Sequence, residues 1–266
     1  MRALRMVKQS IDARRRDRIQ LIYSVDVAVD GESALLRRHR GNPRIRRAPD
    51  TRYRPVAKAS PEAAGQRPVV VGAGPCGYFA ALLLAQMGFQ PLLLERGQPV
   101  KQRTLQTFGF WRGRLPFEPE SNAQFGEGGA GTFSDGKLYS QVSDPEHYGR
   151  KVLEELVASG ASEDILTMHR PHIGTFKLAT VVRGLRARIE ALGGEVRFSS
   201  RVEELLLAPA DGDKSHQLVG LRLADGQEIA CRHCVLAPGH SARDCFLMLE
   251  RIGVQLERKP FSVGLR

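Results

Sequence analysis

Apolar residues along the chain fall into three patterns, and each predicts a different element. Over residues 19–29, Ile19, Leu21, Tyr23, Val25, Val27 and Val29 alternate with other residues, which predicts a strand with one buried face. Val69–Val71, Leu92–Leu94 and Cys234–Ala237 are instead short unbroken runs, the pattern of strands buried on both faces. Helical spacing covers residues 145–159 and 176–192. In the second stretch Leu178, Val181, Val182, Leu185, Ile189 and Leu192 recur on one side, and Gly193-Gly194 stop the helix. Short strands are expected at 195–199 and 201–207, followed by a hairpin of 217–223 with 227–230 about Asp225-Gly226. The alternation of buried strands and helices predicts an α/β fold: a Rossmann-like domain with a parallel sheet and a β-meander, preceded by a small α+β module.

Between the first two buried runs lies the stretch with the most chemical content. Gly72, Gly74 and Gly77 follow Val69–Val71 at GxGxxG spacing and open a helix. Gly72 permits the tight turn, Gly74 removes a Cβ that would block a pyrophosphate, and Gly77 lets the helix pack on the strand. The backbone N–H groups of the first helical turn and the positive end of the helix dipole then face the phosphates. Ala73, Pro75 and Cys76 complete this turn, with Cys76 expected as a small packing residue. Glu95 closes the second buried run at the distance of a ribose-binding acid, with Arg96 beside it. A carboxylate there accepts hydrogen bonds from both ribose hydroxyls and repels a 2′-phosphate, so FAD or NAD is favoured over NADP.

A second glycine-rich stretch, Phe125–Ser140 (FGEGGAGTFSDGKLYS), suits neither a core strand nor a helix, so its backbone is expected to approach something closely. After a nucleotide turn that something is the cofactor, with Gly128, Gly129, Gly131, Thr132, Ser134 and Asp135 as candidate contacts and Lys137 nearby. The aromatic cluster Phe108, Phe110, Trp111 and Phe117 lies between the two glycine segments.

Composition changes this picture in one place. Of the net charge of +11, residues 1–67 carry about +10, with 17 Lys and Arg against 7 Asp and Glu; the remainder is nearly neutral. The expected organisation is a basic α+β module over 1–58, a linker over 59–67 and the nucleotide domain over 68–266. The arginines of 34–58 fit either a solvated surface or a nucleic-acid contact, but only Tyr53 interleaves with them, so base stacking has little support. No apolar run approaches the roughly 18–20 residues that cross a bilayer. The start lacks the apolar core of a signal peptide and the four cysteines lack a framework spacing, so a cytoplasmic location is expected. Cys231 and Cys234 form a CxxC, but on a strand residues three apart point to opposite faces, which argues against a disulfide. No metal site is expected. No catalytic acid or base stands out. His172 and His240 are the best placed of the seven histidines, and each reads more readily as structural.

The order of elements resembles the FAD-binding half of the flavoproteins related to glutathione reductase. In that superfamily the first βαβ unit holds the adenosine pyrophosphate, a later strand holds the adenine, and a meander leads to a strand ending Ala-Thr-Gly. The resemblance implies an adenine strand at 196–202 with Val202 as a contact, and close backbone approach at Ala237, Pro238 and Gly239, where Pro238 replaces the threonine. More narrowly, SIDARRRDRI, YSVDV, GEGGAGTFSDGKL, HIGTF and LAPGHSARD resemble a family of FAD-dependent dehydrogenases with a small N-terminal domain. Phe176 stands where that family's pattern has an aspartate. Members of the family are much longer, so the resemblance implies a shortened chain that lacks the substrate cap and the Gly-Asp strand near the flavin.

The implied activity is hydride transfer between the flavin and an organic substrate or NAD(P)H. Two alternatives stand beside it: a nonenzymatic remnant of the FAD domain, and a nucleic-acid-associated flavoprotein related to flavin-dependent tRNA-modifying proteins.

Overall fold

The computed structural model of the chain describes residues 3–60, 66–139, 142–209, 216–258 and 260. Most of the expected linker, Ser140 of the glycine-rich stretch and the closing Phe261–Arg266 lie outside the described residues. The chain divides into two units, residues 1–57 with 131–188 and residues 58–130 with 189–266.

The first unit begins with an antiparallel hairpin of β1 (Ala3–Asp12) and β2 (Gln20–Ala28), in which Leu4 faces Val27 and Ile11 faces Leu21. The β1 edge gains one bridge, Gln9 to Met168, made by the Gln9 N–H to the Thr167 carbonyl and the His169 N–H to the Gln9 carbonyl. The alternating residues of β2 are not buried as their pattern predicts. Ile19, Leu21, Tyr23, Val25 and Val27 are all exposed, Leu21 by 51%. A two-stranded ribbon has only its own width to shelter side chains, and alternation needs a second layer before it becomes burial. The short helix α1 (Glu32–Arg38) follows. Further along, α4 (Tyr148–Ala158) and α5 (Thr175–Ala191) bury Leu156, Val181, Val182 and Leu185. They meet closely at Gly184, where an added Cβ would strike the Ser159 carbonyl.

The second unit carries a parallel sheet of four three-residue strands. These are β3 (Val69–Val71), β4 (Leu92–Leu94), β5 (Glu195–Arg197) and β9 (Cys234–Leu236), arranged β5-β4-β3-β9. Val69 pairs with Leu92 on one side and Cys234 on the other, and Leu92 pairs with Glu195. Of the three unbroken apolar runs, β9 is an edge strand with Val235 exposed, whereas β3 and β4 are the central strands, covered on both faces. Helix α2 (Pro75–Gln86) covers one with Tyr78, Ala81, Leu82 and Ala85. The other packs against an antiparallel meander of β6 (Val202–Pro209), β7 (His216–Leu223) and β8 (Glu228–Ala230) through Val202, Leu221 and Leu223. Each fully buried side chain such as Leu93 contributes about 1.5–3 kcal/mol. Helices α3 (Val100–Trp111) and α6 (Arg243–Arg251) complete the unit. No helix among the described residues is long and apolar enough to cross a membrane.

Candidate functional site

The glycine turn at the end of β3 is built as the spacing demands. Gly72 has φ +101°, and a Cβ there would strike the Ala237 carbonyl; one at Gly77 would strike the Gly72 carbonyl. These two glycines bring β3, α2 and the end of β9 into backbone contact. Gly74 differs, because its added Cβ would meet only the Gly129 Cα, at 3.9 Å. Gly74 is the N-cap of α2, in extended conformation and with no side-chain cap, and Pro75 occupies the first turn. The helix thus presents uncapped N–H groups beside an open glycine, which is the chemistry an anion requires.

The second glycine segment lies against the first. The Gly128 N–H donates to the Ala73 carbonyl (2.8 Å), and the Gly129 position sits over Gly74 and the Pro75 ring. At Gly126, Gly128 and Gly129 φ is positive, so the backbone turns sharply where it meets the first glycine turn. Beyond Ala130 the chain enters the first unit. There Gly131 and Thr132 form a 3-10 turn, and both the Ser134 N–H and its hydroxyl donate to the Gly131 carbonyl. Asp135 has φ +66°, its carbonyl accepts from the Gly174 N–H, and Lys137 bridges His172. The candidate contacts thus divide between the units, with Gly128 and Gly129 in the second and Gly131, Thr132, Ser134 and Asp135 in the first.

Glu95, 4% exposed, ends β4 with a carboxylate already in use. Oε1 accepts from the Gly97 and Gly126 N–H groups (both 2.9 Å) and Oε2 from the Ala73 N–H (2.7 Å). One side chain therefore ties together the first glycine turn, the end of β4 and the second glycine segment. Each carboxylate oxygen has two acceptor directions, so Oε2 retains one for a further donor. Arg96 lies over the Phe125 ring (4.4 Å) and pairs with Asp244 of α6. Burial raises the Asp244 carboxyl, but its hydrogen bond from Arg96 and the charges of Arg96 and Arg201 outweigh that and hold it below the usual range. A cavity of about 460 Å³ opens beside this pair, lined by Arg96, Gln98, Glu120, Ser199, Arg201 and Asp225 among others.

Val202 is buried at the start of β6, while Ala237, Pro238 and Gly239 follow β9, with the Ala237 N–H donating to the Val71 carbonyl. Cys76 is exposed and so is not the packing residue its place predicts; it sits on the first turn of α2, outside the contact with β3 that Gly77 makes. Cys231 and Cys234 are free, and burial together with the neighbouring Cys231 pushes the Cys234 thiol up to about 12. His172 and His240 are exposed and belong to different units.

Two residues of this site carry no sequence signal that singled them out. Glu127 is fully buried, accepts from the Tyr78 hydroxyl (2.7 Å), and caps α3 by accepting from the Val100 N–H (2.6 Å). Arg103, also fully buried, donates to carbonyls of the segment that leads into Gly128.

No protein-family model matches the chain. It is 42% identical over 269 residues to an uncharacterised protein of Clostridium beijerinckii; the match takes in 99% of this chain and 47% of that protein, so the chain spans about half of its relative. Among solved structures it is similar to THI4 of Thermovibrio ammonificans, with TM-score 0.46 and 18% identity over 71% of this chain and 62% of that one. It is also similar to OTEMO in complex with FAD and NADP, with TM-score 0.37 and 18% identity over 66% of this chain and 26% of that one. The α/β fold with a parallel sheet rests on the strand order itself.

Proposed function

We propose that the second unit holds FAD and that the chain is the cofactor-binding part of a flavin-dependent oxidoreductase. The observation that carries this reading is the meeting of two glycine segments at an uncapped helix: Gly74 open, Gly129 against it, and the α2 N-terminus facing the same place. Such an arrangement fits a pyrophosphate, whose charge the first-turn N–H groups and the helix dipole would stabilise. Glu95 would offer its remaining acceptor direction to a ribose hydroxyl, and its charge disfavours a 2′-phosphate. Arg96, Val202 and the 237–239 backbone would border the adenosine. FAD supplies the hydride chemistry when bound, and the chain's residues supply its orientation and its electrostatics. NAD(P)H or an organic substrate would be the other reactant. The functional domains follow this proposal, with residues 1–58 an accessory module and 68–266 the flavin part.

The test is the visible spectrum of the purified chain, with the released cofactor identified after denaturation. Flavin bands near stoichiometry are expected, or their appearance on adding FAD. A colourless protein that does not take up added FAD would overturn the reading.

A further inference from the structure

Arg103 is the largest fully buried side chain among the described residues, and it donates to four carbonyls of one irregular segment. Its Nε donates to the Asn122 carbonyl (2.7 Å). Nη1 donates to those of Glu127 (2.7 Å) and Gly126 (3.3 Å), and Nη2 to that of Ala123 (3.0 Å). A loop that makes no ladder has carbonyls in need of donors, and a guanidinium is the one side chain whose planar fork can serve four at once. Burial pulls the Arg103 guanidinium down to about 10, opposed by the charges of Glu95 and Glu127, so it stays a cation at neutral pH. A buried charge of this kind is poor economy for stability alone, because an apolar side chain of similar volume fills a core at less desolvation cost.

What the segment does next gives the cation a purpose. Along the same stretch, the Gly126 N–H reaches Glu95, the Glu127 N–H reaches the Gln98 carbonyl, and the Gly128 N–H reaches Ala73 of the first glycine turn. Gly126 has φ +114°, and a Cβ there would run into the Arg103 side chain, so glycine and arginine fit one another. We infer that Arg103 is the positioning residue of the cofactor site: it fixes residues 122–127 from beneath and so sets where Gly128 and Gly129 stand against Gly74. This rests on the FAD reading for its consequence in binding, but the mechanical part stands on the chain alone. Preorganisation of this sort raises affinity by sparing the ligand the cost of ordering the loop.

The experiment compares the wild-type chain with Arg103→Lys, which keeps the charge but offers one nitrogen in place of three. Amide hydrogen exchange is followed over residues 122–129 and over 69–94, and FAD affinity is followed by quenching of flavin fluorescence, both well below the melting temperature. Exchange over 122–129 should quicken at least tenfold with 69–94 unchanged, FAD should bind at least tenfold more weakly, and saturating FAD should restore part of the lost protection. A merely structural arginine would lower the melting temperature and speed exchange everywhere without that local, ligand-reversible pattern. If Arg103→Lys does not fold, Gly126→Ala presses on the same contact from the other side and should give the same pattern. Unchanged exchange over 122–129 in a folded variant overturns the inference, as does a loosened segment with FAD affinity intact. Should the wild type bind no FAD, the function proposed above fails, while the exchange arm still decides whether Arg103 holds the segment.

Discussion

The parallel sheet and the N-terminal hairpin are both made of β-branched and leucine-rich strands, yet they end in opposite surroundings. Val69, Val70, Leu93 and Leu94 are buried to within 1%, while Leu21, Tyr23, Val25 and Val27 are each more than 40% exposed. The difference lies in what each strand is given to lean on. Every sheet strand is flanked in sequence by a helix or meander long enough to fold back over it, whereas β2 is followed by a helix of seven residues with no buried side chain. Alternation fixes which residues share a face, and the neighbouring elements decide whether that face is covered.

Substitutions break or sharpen this contrast by amounts that should fall in order. The largest effect is expected from Gly77→Ala, which drives a Cβ into the Gly72 carbonyl where backbone meets backbone; urea denaturation should show a loss of about 3 kcal/mol or more. Leu93→Ala should follow, with a loss of about 2–5 kcal/mol from lost transfer and a cavity between two covered faces. Glu95→Gln turns one acceptor into a donor that faces a backbone N–H, which should cost about 1–3 kcal/mol and weaken FAD as well. Thiol labelling at pH 8 extends the contrast to chemistry. Cys76 should react first, and the buried Cys231 and Cys245 and the half-buried Cys234 at least about tenfold more slowly, because the thiolate is the nucleophile and desolvation raises all three. Added FAD should then slow Cys76, and no protection would mean that the cofactor does not lie over that turn. Smallest of all, Leu21→Ala in the hairpin should change stability by no more than about 0.5 kcal/mol, and a loss in the range expected for Leu93 would mean that the face is covered in solution.

Much of the second unit was legible because its residues announce their local geometry. Three consecutive valines, Gly72 and Gly88 at positive φ, and Asp225-Gly226 at a hairpin turn are decided within a few residues, and the expected strands and α2 fall within a few positions of where the pattern puts them, whereas α3 and α6 were not among the expected elements and Ser199 takes a positive φ without being a glycine. The supports of the site were not legible. Arg103 reads as one more cation on a basic helix, since its partners are carbonyls, which every residue has. Glu127 is hidden among glycines, and its partners Tyr78 and Val100 are far away in sequence. The clustering of 131–188 with the N-terminal residues depends on contacts such as Gln9 with Met168, a pairing with no pattern to betray it. Glu95 shows the mixed case: its position was readable, but its work as an acceptor for three separate segments was not.

The central strand β3 has one neighbour close behind it and another near the far end of the sequence, for Val69 pairs with both Leu92 and Cys234. During synthesis β3 and β4 can meet early, but the other edge of β3 must wait until Cys234 has emerged. Until then the backbone groups along that edge stand open, the sort of edge to which stray strands attach. The strand order therefore makes this pairing the late one, and a chain released before Cys234 is expected to aggregate more readily than one that includes it.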